Sequence, residues 1–169
     1  DNAAAGAAVT SNANTIVGDN SGYYLTSGAN NCFLGAASGH AITEGNNNVA
    51  IGHTSLTACT TGDANIGIGV NAADAVTTGN NNTAVGGQAL TSATTTSGVT
   101  AIGYSAGNAL TTAPSCAFVG DYAADAVTTG GYHVAMGSGA LGACTTATGN
   151  TALGYNSGND ITTGANNTC

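Results

Sequence analysis

Asn82-Thr83-Ala84-Val85-Gly86 decides the fold of this chain, because near copies of it return along the sequence at one fixed interval. Its closing glycine recurs at Gly18, Gly35, Gly52, Gly69, Gly86, Gly103, Gly120, Gly137 and Gly154, every 17 residues, with no insertion or deletion. Each is preceded by an aliphatic side chain: Val17, Leu34, Ile51, Ile68, Val85, Ile102, Val119, Met136 and Leu153. Low charge and abundant Gly, Ser, Thr and Asn would suit a disordered segment, but disorder does not hold an aliphatic residue at one phase of a repeat. A fixed short period signals a repeat architecture. Seventeen residues are too few for a helical hairpin or a propeller blade, so the unit is one coil of a β-solenoid. The fold class is all-β, a parallel β-solenoid (β-roll) of about ten coils.

The remaining phases of the coil follow from the same alignment. A small-residue phase runs through Ser21, Ser38, Ser55, Ala72, Ala89, Ala106, Ala123, Ala140 and Ser157. A second apolar phase runs through Leu25, Ile42, Cys59, Val76, Leu110, Val127, Cys144 and Ile161, giving a thin core with two walls. Threonine follows that wall in nine successive coils, from Thr26 to Thr162, and a second threonine usually follows the first. Gly28, Gly45, Gly62, Gly79, Gly130 and Gly164 then mark a turn, which is expected to use the positive φ that glycine reaches freely. Asn14, Asn31, Asn48, Asn65, Asn82, Asn150 and Asn167 share a corner phase, where stacked amides can bond along the axis. The solenoid takes in residues 1–169 as one domain, with 1–17 an atypical first coil, regular repeats over 18–169 and an incomplete last coil.

Strand alternation places successive side chains on opposite faces. With the aliphatic before the turn glycine taken as inward, the residue before it points out. That row contains Phe33, Ala50, Ala84, Ala101, Phe118, Ala135 and Ala152, and it is expected to be an apolar assembly interface. Neither terminus carries the polar or Pro-rich cap that protects an open β edge, so end-to-end association is expected as well.

Composition excludes several function classes. Lysine and arginine are absent and the net charge is −8, which removes any electrostatic grip on nucleic acid or an anionic membrane. No stretch is long and apolar enough for membrane insertion. The five cysteines fall badly for pairing within the chain and read as small apolar fillers. His40, His53 and His133 stand at three different phases and are expected at exposed corners, so no metal site is assigned. Asp74 and Asp125 share a phase three coils apart, too far for a catalytic carboxylate pair. No catalytic residue and no cofactor is assigned, and the chain is not expected to be an enzyme. Asn81 and Asn166 each begin an Asn-x-Thr triplet on an expected exposed corner, which permits N-glycosylation.

The units Asn82–Gly86 and Asn150–Gly154 resemble the head repeats of trimeric autotransporter adhesins, and the repeats of phage and bacterial fibre proteins that end in a chaperone domain. The resemblance covers nearly all of the chain. It implies a left-handed β-roll, a homotrimer or filament, and a structural role in an extracellular, cell-surface or virion fibre that displays a receptor- or glycan-binding end. The repeat departs from the adhesin heads in being longer. A reading from another class is an ice-binding β-solenoid using its threonine ladder. Adjacent threonines point to opposite faces, so one ladder is expected inside and the other outside.

Overall fold

The computed structural model describes residues 13–169. Nine three-residue strands, β1 (Thr15–Val17), β2 (Cys32–Leu34), β3 (Val49–Ile51), β4 (Ile66–Ile68), β5 (Thr83–Val85), β6 (Thr100–Ile102), β7 (Ala117–Val119), β8 (Val134–Met136) and β9 (Thr151–Leu153), form one parallel sheet in chain order. Every pairing is offset by one repeat, as in Thr83↔Thr100, Ala84↔Ala101 and Val85↔Ile102. The chain is therefore a β-solenoid of about eight turns. A tenth strand position survives as the bridge Thr151↔Thr168. Most of the atypical first coil, residues 1–12, lies outside the described residues.

The glycine that sets the period earns its place by conformation. All nine have φ between 124° and 137°, a region open essentially to glycine alone. A Cβ on Gly86 would also run into the Gly103 carbonyl of the next coil. The second glycine row has a different cause from the one expected. Gly28, Gly45, Gly62, Gly79, Gly130 and Gly164 do not have positive φ. The first five of these lack a side chain because a Cβ there would meet the carbonyl oxygen one coil further on.

The orientation of the strands reverses the expected one. Phe33, Ala50, Ala84, Ala101, Phe118, Ala135 and Ala152 are all fully buried, so this row is core and cannot be an assembly interface. The aliphatic row faces outward: Val17, Leu34, Ile102, Met136 and Leu153 are 40–58% exposed. The reason is volume. Small residues and Leu25-type residues from the far wall fill most of the coil, leaving room for one inward strand side chain. Where the residue four positions after the turn glycine is large, as at Leu56 and Leu90, the neighbouring strand residues Gly67, Ala84 and Ala101 are small. Where it is Gly22, Gly39 or Gly107, the space is taken by the rings of Phe33 and Phe118, which a Cβ on those glycines would touch at 2.8–3.1 Å. This compensation keeps the interior close-packed along the axis.

Candidate functional site

Two surfaces and one internal column carry the features from which function can be argued. The first surface is the outer face of the sheet. Each strand projects its first and third residues outward, giving two parallel columns, Cys32/Leu34, Val49/Ile51, Ile66/Ile68, Thr83/Val85, Thr100/Ile102 and so on. Columns two residues apart along a strand are separated by roughly 7 Å, and coils by about 4.8 Å, so nine strands make a strip roughly 38 Å long. Val70, Tyr104 and Tyr155, just beyond the turn glycine, extend the apolar surface with exposures of 53%, 45% and 78%. Tyr104 is held there by its hydroxyl donating to Gln88 Oε1 at 3.1 Å and by edge-on contact with Tyr122 at 5.5 Å.

The second surface is a threonine column. The pairs lie outside the strands, and the first ladder is half-buried from Thr26 to Thr145 instead of inside, while the second is exposed. In the first, each backbone N–H and each Oγ1 donates to the carbonyl of the threonine one coil on, with hydroxyl distances of 2.9–3.3 Å from Thr26→Thr43 to Thr145→Thr162. Those hydroxyls serve the backbone. In the second, Thr61, Thr78, Thr95, Thr112, Thr129, Thr146 and Thr163 are exposed in seven consecutive coils.

The internal column is the asparagine phase, which is buried rather than placed on an exposed corner. Every asparagine of the column from Asn14 to Asn150 makes the same two backbone bonds. Nδ2 donates to a turn carbonyl 14 residues on, as Asn65 to Gly79 at 2.8 Å, and Oδ1 accepts the backbone N–H of the next coil, as from Asn82 at 3.1 Å. Direct amide-to-amide bonds also occur, from Asn31 to Asn14, from Asn82 to Asn65 and from Asn167 to Asn150. Three successive positions of the column are not asparagine. Val99 offers no donor. The Cys116 thiol lies 3.4 Å from Pro114 O and 3.9 Å from Gly130 O, so its one hydrogen serves the column carbonyl only weakly. His133 completes the set, with Nε2 at 2.8 Å from Ala147 O and Nδ1 accepting from Asn150 N–H at 3.1 Å.

His133 is thus 1% exposed, against the expected exposed corner, while His53 is exposed and His40 is half-buried and stacked on Tyr23 at 5.6 Å. The signal was present: His133 shares the asparagine phase. Among the described residues no group of three or more His, Cys, Asp or Glu side chains could hold a metal ion. The cysteines are unpaired; Cys59, Cys116 and Cys144 are buried, and burial pushes the Cys59 thiol up to about 11. Burial also raises the carboxyls of Asp74 and Asp125 above their ordinary value. Asn81 and Asn166 are exposed at equivalent corners. No described helix is long and apolar enough to cross a membrane. No protein-family profile, curated protein or solved structure matches the chain.

Proposed function

We propose that the chain is a structural segment of an extracellular or virion fibre, self-associating and without catalysis, and that copies meet through the outer face of the sheet. The observation that carries this reading is the exposed aliphatic strip. Its two columns alone span roughly 270 Å² by the strand spacings, and Val70, Tyr104 and Tyr155 widen it toward the size of the largest apolar patches that monomers leave wet, which are often functional. It repeats at every coil and contains no charge, so identical chains can lie along it in register. The side chains that meet are those of Ile68, Val85, Ile102 and their equivalents, in place of the alanine row. Ile68→Asp combined with Val85→Asp places two carboxylates in that strip without touching the core. Sedimentation velocity across a wide concentration range is expected to show a defined oligomer for the native chain and a monomer with unchanged circular dichroism for the variant. A native chain that stays monomeric throughout would overturn the reading.

The seven exposed threonines favour one second reading, adsorption to ice through the ladder from Thr61 to Thr163. Its mark would be faceted ice growth that Thr95→Tyr abolishes; unshaped growth at micromolar protein would dismiss it.

A further inference from the structure

His133 works in the asparagine column only in one protonation state. Its Nε2 lies 2.8 Å from the Ala147 carbonyl and must donate, while Nδ1 lies 3.1 Å from the Asn150 amide nitrogen and must accept. The neutral Nε2–H tautomer meets both demands, matching the Nδ2 and Oδ1 of an asparagine. An asparagine side chain does not titrate. An imidazolium carries hydrogen on both nitrogens, so its Nδ1–H would point at the Asn150 N–H. One buried bond would be lost and two donors set head-on, with a charge added in a 1% exposed position.

Nothing around the ring compensates that charge. The groups that face it are the Cys116 thiol in the coil before, Asn150 in the coil after, and the Cys144 thiol, which accepts from Asn150 Nδ2 at 3.9 Å. Tyr132, its neighbour in the chain, is turned to solvent with 67% exposure. Burial and the backbone of Ala147 and Asn150 are the influences on the ring, and burial dominates, lowering its pKa below the ordinary value.

The position also falls in the weakest part of the column. Thr96 replaces the second turn glycine of its coil, and its buried Oγ1 has no partner. Val99 supplies neither column bond, and Cys116 supplies a long thiol bond. An open depression of about 390 Å³, lined by Thr100, Ser115, Ala117 and Tyr132 among others, also borders Cys116 and His133.

We propose that His133 is an acid-sensitive joint built into the solenoid: protonation breaks the column between the coils that carry β8 and β9, while coils joined by asparagine hold. The sign follows from linkage. A histidine neutral in the closed coil and free to protonate in the open one contributes its full stabilisation above the open-state value of about 6.5. That contribution falls as pH drops below this value and levels off once the closed-state pKa is passed.

Hydrogen exchange read by mass spectrometry tests this, with rates corrected for the intrinsic effect of pH on exchange. Segment 130–151 contains His133 and Asn150; segment 62–83 is its equivalent around Asn65 and Asn82. Between about pH 7.5 and pH 5.2, opening of 130–151 is expected to rise by up to tenfold per pH unit inside the titration window, with 62–83 unchanged. His133→Asn, which restores the residue used elsewhere in the column, should remove the response. Asn65→His should transfer it to 62–83. Equal protection of 130–151 at both pH values, or a response that survives in His133→Asn, would overturn the proposal.

Discussion

Removing Asn65 tests what binds one coil to the next. Its side chain is fully buried, donates to Gly79 O at 2.8 Å and accepts from Asn82 N–H at 3.1 Å. Asn65→Ala leaves that carbonyl and that amide without the partner the column gave them. The Asn82 side chain stays partnered through Thr96 O at 2.8 Å. Each orphaned buried backbone group costs about 1–3 kcal/mol, so the substitution is expected to cost on the order of 4 kcal/mol at the seam it breaks. Because a solenoid is stabilised by nearest-neighbour contacts, the loss should appear as lowered hydrogen-exchange protection in the coils on either side, with a lower urea midpoint. Asn65→Asp sharpens the test. Its ionised carboxylate can accept from Asn82 N–H but opposes the Gly79 carbonyl, so near neutral pH it should be worse than alanine. Burial raises the folded-state pKa of that carboxyl. Stability should therefore recover as pH falls through it, when the protonated acid can donate to Gly79 O. An Asn65→Ala protein within about 0.5 kcal/mol of the native chain would refute the reasoning, showing that water satisfies both groups and that the column does not hold the coils.

Other substitutions probe separate parts of the argument. Gly86→Val should cost on the order of 3 kcal/mol or more, since φ is 130° and the new Cβ meets the Gly103 carbonyl; thermal denaturation checks it. Gln88→Val should destabilise as well, because Gln88 has φ 60° and its Oε1 accepts from Tyr104; the same melts compare the two. Phe33→Ala should cost about 3–5 kcal/mol in urea titration, because Gly22 and Gly39 leave nothing to fill the space. Asp74→Asn should raise the urea midpoint at neutral pH: burial raises this carboxyl, so its ionised form disfavours folding, and the gain should vanish as pH falls through the carboxyl's pKa.

Much of this molecule was legible in one dimension. The unbroken 17-residue interval dictated parallel strands in register, because equivalent residues of successive coils must stack. The turn glycines at Gly18 and its equivalents followed from backbone sterics, a local property, and the second apolar wall from its fixed phase in the repeat. Alternation could not say which face of a three-residue strand turns inward. That depended on the volume left inside the coil, a sum over residues from both walls, and it moved the exposed strip from Ala84 and its equivalents to Val85 and Thr83. The pairing of Phe33 with Gly39, and of Leu56 with Gly67, encodes the answer across neighbouring coils, where a reading of one strand does not look. The asparagine phase was visible, but its burial and its bonds to carbonyls 14 residues away were not. Nor was the fitting of His133 into the same slot, because hydrogen-bond roles become fixed only when the backbone of the next coil is in place.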